Sequence, residues 1–239
     1  MGALMNWKAK RFWTDTTVEQ VGDGWTVLLD GRKVKTPAKT DLVVPSRAYA
    51  EAIAEEWEAQ EGEINPNTMP VTRSANAAID KVSVQFVEVA DMLAEYGGSD
   101  LLCYRAEAPA ELAQRQAENW DPILEWARQE LDAELKTATG IMHVAQPFES
   151  VQKLSALVHK MTSFELASFH DLVSISGSLI LGFAVTRRHL APEVAWDKAR
   201  IDEIWQEEQW GADDEATAVS NLKKAAFLTA STIFSLSQS

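Results

Sequence analysis

The sequence predicts an α+β protein: a small N-terminal domain with an antiparallel sheet and a helix, followed by a larger, mainly α-helical domain. Three observations carry this. "TVLL" and "RKVKT" flank Asp30-Gly31, a dipeptide that accepts the positive φ angles of a tight type I′ hairpin turn. From Thr72 onward apolar residues recur at helical spacing. A chain of 239 residues, 46 % hydrophobic and 24 % charged, supplies a substantial core. We expect the α+β domain over residues 6–80 and the helical domain over 81–239, with the boundary inside 70–90.

In the hairpin, Trp25, Val27 and Leu29 share one strand face, and Val34 lies among basic neighbours. Pro37 ends the second strand because proline cannot donate to a ladder. "DLVVP" reads as a third short strand. Ser46 is an N-cap for "RAYAEAIAEEWEAQEG", with Tyr49, Ile53 and Trp57 on one helical face and Gly62 as its stop. "TRSANAAIDKV" and "VEVADMLAEYGG" read as helices, and "DLLCYRA" as a short strand. "PAELAQRQAENWDPILEWARQELDAEL" reads as a helix kinked or restarted at Asp121-Pro122. "GIMHVA" reads as a further strand. The apolar run Leu172–Val185, "LVSISGSLILGFAV", falls short of the roughly 20 residues that span a bilayer and reads as a buried core helix. "PEVAWDKARIDEIWQEEQWG" and "EATAVSNLKKAAFLTASTIFSLS" are the final helices.

Charge narrows the function. The net charge of −14 argues against nucleic-acid binding, which depends on lysine and arginine neutralising phosphates. Residues 1–47 hold eight Lys or Arg against five Asp or Glu, and the remainder 14 against 31. The basic hairpin therefore stands out, either as a solvated sheet face or as a contact for an acidic part of a partner. One cysteine, Cys103, fits a reducing compartment. The start "MGALMNWKAKRFW" has no long apolar stretch of a secretory signal, so a bacterial cytoplasmic location is the simplest expectation.

Catalytic signatures are missing. The four histidines are not at i, i+4 spacing and the cysteine has no CxxC partner, so we assign no metal site and no cofactor. No Walker A, G-x-S-x-G or G-x-G-x-x-G pattern occurs. Paired carboxylates such as Glu55-Glu56 and Glu207-Glu208 suit acid–base work only where their environments separate their pKa values. The nine tryptophans belong to amphipathic segments as core residues or, at some positions, interface anchors. In "ARIDEIWQEEQWGADDEA", Glu203 and Glu207 are like charges at i and i+4, which cost a few tenths of a kcal/mol. Such a face is either a solvated acidic surface or a contact for a basic partner.

The segments "RFW", "GWTVLLDGRKVKTPAKTDLVVPS", "AIAEEWEAQEGEINPNTMPVTRSANAAID" and "DEIWQEEQWGADDEA" together resemble the assembly chaperones of the F1 head of ATP synthase. The resemblance is to those that handle the alpha subunit, the Atp-twelve family, and it covers nearly the whole chain. Departures are small: "TRSANAAID" lacks a more usual Leu after Arg, and Trp205 stands where other aromatics occur. The resemblance implies a non-enzymatic chaperone that holds the alpha subunit until the beta subunit displaces it; a monomer suits a binder that must be displaced. It points to Glu203, Gln206, Trp210, Asp213 and Glu215, with Glu207 nearby, as partner-binding residues. It also points to Trp57, Gln60, Met69, Pro70, Arg73, Asn76, Asp80 and Gly211 as structural or interdomain residues. Arg73, Asn76 and Asp80 lie at i, i+3 and i+7, where a polar network across the junction is expected if the segment is helical. Two rivals remain: an enzyme using a carboxylate pair in an interdomain cleft, and a holdase without a preferred client.

Overall fold

A computed structural model describes residues 10–238. Trp7 and the other residues before Lys10, including 6–9 of the expected N-terminal domain, lie outside the described residues.

The fold is α+β, an N-terminal antiparallel sheet followed by helices. Strand β1 (Thr16–Val21) pairs antiparallel with β2 (Gly24–Leu29), which pairs with both β3 (Arg32–Lys33) and β4 (Val43–Val44). Asp30 and Gly31 take φ of 49° and 76°, the left-handed pair that a type I′ turn requires. Val27, Leu29 and Val34 face inward, while Arg32, Lys33 and Lys35 face water, and Lys35 pairs with Asp41 at 2.9 Å. Gly24 is there for space: a Cβ would lie 2.6 Å from Val43 Cγ1. β1 was not expected from the sequence, because this edge strand is exposed or half-buried throughout and carries little apolar signal.

Helix α1 (Arg47–Glu58) starts at Ser46, whose side chain accepts from Tyr49 N–H. The helix stops before Gly62: Ala59 N–H closes on Glu55 and Trp57 carbonyls, and Gly62 adopts φ 66° three residues later. Buried Tyr49 and Ile53 press on the sheet with Trp13, Val27, Leu42 and Val44. Next come α2 (Pro70–Ala77), a π-helical turn Ala78–Val82, and α3 (Phe86–Ala94).

Beyond Leu101–Cys103, a 3₁₀ turn where a strand was expected, only Tyr104–Arg105 is extended (β5). α4 (Ala110–Glu130) runs unbroken through Pro122. Pro122 lies on the exposed face, so the carbonyl it leaves without an amide partner is on the solvent side, and no restart is needed. "GIMHVA" is irregular rather than a strand: β6 is Ala138–Thr139, parallel to β5, and Gly140 turns out of the ladder at φ 79°.

α5 (Phe148–Val158) precedes the apolar run, which is buried as expected but is two helices rather than one. α6 (Ser163–Ser176) ends at Gly177, φ 72°, and Ser178 caps α7 (Leu179–Thr186). Alternating small residues permit this sharp turn inside the core. Likewise "PEVAWDKARIDEIWQEEQWG" divides at Arg200 into α8 (Pro192–Ala199) and α9 (Ile201–Trp210). α10 (Asp214–Ser237) closes the chain. Its C-terminal half packs into the core, and Ile233 joins the cluster beneath the sheet. The Ser46 hydroxyl donates to Leu236 carbonyl at 2.6 Å, linking the cap of α1 to the end of α10. Among the described residues no helix is long and apolar enough to cross a membrane.

Candidate functional site

The C-terminal half of α10 is core, but its first three turns are almost wholly exposed, and α9 buries only Ile201. Packing alone therefore does not hold α9. Polar clamps do. Gln116 on α4 donates to Asp202 at 2.6 Å. Arg115 pairs with Glu208 at 2.8 Å and lies 4.8 Å from the Trp205 ring centroid. Arg200 pairs with Glu207 at 2.9 Å, stacks over Trp196 and contacts the Ser220 hydroxyl on α10. α9 ends at Gly211, whose φ of 88° turns the chain, and Asp213 caps α10 by accepting from Ala216 N–H at 2.8 Å.

Between α9, α10 and the end of α6 lies a cleft of about 700 Å³. Leu101, Ile175, Trp196 and Val219 give it apolar lining; Asp202, Glu203, Asp213, Glu215, Arg200 and Lys223 give it charge. Beneath it sits Asp100, fully buried. Its carboxylate accepts from the Ser178 hydroxyl at 2.7 Å and from Ile180 and Leu102 N–H at 3.0 Å. Burial pushes this carboxyl up to about 6, against the opposing pull of those hydrogen bonds. Together with Leu101 N–H on Gly177 carbonyl at 3.2 Å, it anchors the cleft floor to the α6–α7 turn.

Of the partner-binding residues expected from the sequence, Glu203, Asp213 and Glu215 line this cleft, although they come from two helices and the linker between them. Trp210 and Gln206 do not line it; Trp210 is 79 % exposed at the end of α9. Glu207 is engaged within the chain by Arg200.

Of the second group, Gly211 ends α9 beside the cleft, and the others lie on or next to α1, α2 and the π-helical turn. Trp57 packs edge-on against Trp13 at 5.2 Å. Buried Gln60 donates to Glu56 carbonyl and Thr68 and accepts from Asn65 N–H, closing the turn after α1. Met69 is buried at the N-cap position and Pro70 opens α2. Arg73, Asn76 and Asp80 do not bond to one another in the hydrogen bonds and ion pairs of the described residues. Asp80 instead accepts from the Thr36 hydroxyl at 2.7 Å and Ala38 N–H at 3.0 Å, tying the π-helical turn to the loop after β3. Asn76 Oδ1 is buried with no hydrogen-bond partner among the described residues, and Arg73 is exposed.

Sequence reasoning named Glu56 only as a carboxylate pair with Glu55 and missed its cap: the carboxylate accepts from Val71 N–H, Thr72 N–H and the Thr72 hydroxyl at 2.6–2.7 Å, capping α2 from α1. Half-burial raises its pKa despite those bonds. It also missed Arg115, Arg200 and Asp202, because their partners are 7 to 93 positions away. Arg200 and Asp202 do lie within the acidic stretch that the sequence singled out.

Residues 10–128 match the family described as ATP12 chaperone protein. The crystal structure of Atp12 from Paracoccus denitrificans superposes with a TM-score of 0.94 at 47 % identity, over 97 % of this chain and 99 % of that one. The Agrobacterium tumefaciens protein Atu1473 superposes with a TM-score of 0.91 at 40 % identity, over 96 % of this chain and 86 % of that one. Protein atp12, mitochondrial, of Schizosaccharomyces pombe is 26 % identical over 224 residues, 89 % of this chain and 77 % of that protein. With nearly half its residues shared with a solved Atp12 across almost its full length, the chain belongs to the ATP12 chaperone family.

Proposed function

We propose that this protein is an assembly chaperone of F1 ATP synthase: it binds the free alpha subunit, prevents its aggregation and yields it to the beta subunit without ATP hydrolysis. It acts as a monomer in the bacterial cytoplasm, where its buried Cys103 stays reduced. The observation that carries this reading is the exposed α9–α10 arm, which presents Glu203, Asp213 and Glu215 around a cleft with an apolar lining and an exposed Trp210 at its end.

The physics favours a binder. A subunit built for a ring exposes apolar interface before its neighbours arrive, and such patches drive aggregation. A chaperone covering that surface shifts the aggregation equilibrium by mass action. A neighbour with a larger, better matched interface displaces it without an energy source. The carboxylates at the cleft lie on exposed rims rather than in paired buried environments, an arrangement suited to contact more than to acid–base chemistry.

The test is co-expression with the cognate alpha subunit, followed by pull-down and size-exclusion chromatography. The expected result is a complex that dissociates when beta subunit is added, and weaker capture by Glu203→Lys with an unchanged unfolding midpoint. An alpha subunit that aggregates as it does alone refutes the chaperone reading; a Glu203→Lys protein that captures it normally refutes the residue assignment.

A further inference from the structure

We propose that the α9–α10 cleft receives a cationic amphipathic segment of the client, with apolar side chains against Leu101, Ile175, Trp196 and Val219 and lysine or arginine side chains paired with Glu203 and Glu215. This rests on the chaperone reading above and names the chemistry that the site recognises.

Several of the charges around the cleft are already engaged within the chain. Asp202 accepts from Gln116, Asp213 is committed to the start of α10, and Arg200 is paired with Glu207. Glu203, Glu215 and Lys223 carry no ion pair or hydrogen bond among the described residues. Glu203 is in the first turn of α9 and Glu215 in the first turn of α10, and both line the cleft. The positive end of the α10 dipole, which would repel a cation, is covered by Asp213, Asp214 and Glu215. Lys223 lies about 12 Å farther along α10, from the helical rise of eight residues. The unengaged charges of the cleft are therefore two carboxylates against one ammonium, a net negative charge that suits a cation.

The lining decides the rest of the ligand. Trp196 is almost fully buried with its edge in the cleft, and Val219 is 47 % exposed. A volume of about 700 Å³ accommodates a few side chains of one segment, not a folded surface. Ala216, Val219, Ser220 and Lys223 recur at three- and four-residue spacing along the cleft wall. Such a wall accepts a partner helix through anchors at i, i+3 or i+4. An acidic segment would meet two unpaired carboxylates, and a purely apolar one would leave them desolvated without a partner, which is costly.

The experiment measures fluorescence anisotropy of overlapping peptides tiling the alpha-subunit sequence, titrated with the full chain, alongside capture of the intact alpha subunit. Peptides that bind are expected to share a Lys or Arg flanked by apolar residues at helical spacing. The double variant Glu203→Gln/Glu215→Gln should weaken them about tenfold, as expected for two exposed charge pairs. Val219→Arg, which fills the cleft and adds a cation, should abolish binding, while Glu19→Gln on β1 changes nothing. Unaltered unfolding midpoints exclude loss of fold as the cause. If the bound peptides are acidic or uncharged, or the cleft variants bind them normally, the proposal is overturned. Where those variants still capture intact alpha subunit at full strength, the chaperone reading survives and the cleft assignment fails. A wild-type chain that captures neither peptides nor alpha subunit defeats both.

Discussion

Asp100→Asn probes the anchoring of the cleft floor. The Asp100 carboxyl is fully buried and pushed up to about 6, above its ordinary value of 3.8. Because the folded-state value is the higher one, the stabilisation is complete below the ordinary value and is lost as pH rises through the folded-state value. The gap between the two corresponds to about 3 kcal/mol. From the same linkage, lowering the pH from 7 to 5 returns about 1 kcal/mol to the wild type. Asparagine does not titrate, so its stability lacks this contribution while every other group behaves alike in both proteins. Its amide also faces three donors, the Ser178 hydroxyl and the N–H groups of Ile180 and Leu102, leaving at least one mismatched. Urea unfolding of both proteins at the two pH values measures the difference. Wild type should gain on the variant by about 1 kcal/mol at the lower pH, equivalent to about 2–4 °C in midpoint for a chain of this size. Parallel pH profiles would refute the claim that burial, opposed by its hydrogen bonds, sets the state of Asp100.

Two further substitutions test the packing and capping that position the arm and the junction. Gly182→Ala in α7 places a methyl 2.9 Å from the Phe169 ring and 3.0 Å from Val173. The helix-propensity gain of about 1 kcal/mol is outweighed by overpacking of about 1–3 kcal/mol, so urea unfolding should show net destabilisation; a stabilised variant would contradict the tight α6–α7 contact. Glu56→Ala removes the acceptor shared by Val71 and Thr72 N–H. It should cost about 1–2 kcal/mol, as cap losses do, read as a lower thermal midpoint; an unchanged midpoint would mean that α2 is not capped from α1.

Much of the fold was legible because its signals are local. The Asp30-Gly31 turn needs two adjacent residues that tolerate positive φ, and the Ser46 cap needs one hydroxyl before an apolar periodic run. The missed breaks share a cause. In Leu172–Val185 every position is apolar or small, so no periodicity marks where α6 stops and α7 starts; Gly177 does so only because the surrounding core requires a turn there. At Pro122 the opposite held. A local breaker was overridden because that face of α4 is solvated.

The acidic α9 stretch was visible in the sequence, but its charges could not be sorted there into engaged and unengaged. Glu207 and Glu208 find Arg200 and Arg115, the latter 93 residues away on α4. Glu203 and Glu215 belong to two helices separated by the turn at Gly211, and only the tertiary structure brings both to the lining of one cleft. The sequence by itself determined the α+β class, the hairpin, the amphipathic helices and the residue types from which a binding surface is made, because these depend on neighbours a few positions apart. Tertiary structure alone decided which carboxylates remain available and what apolar lining lies beneath them, because ion pairing and burial are set by helices that meet from distant parts of the chain.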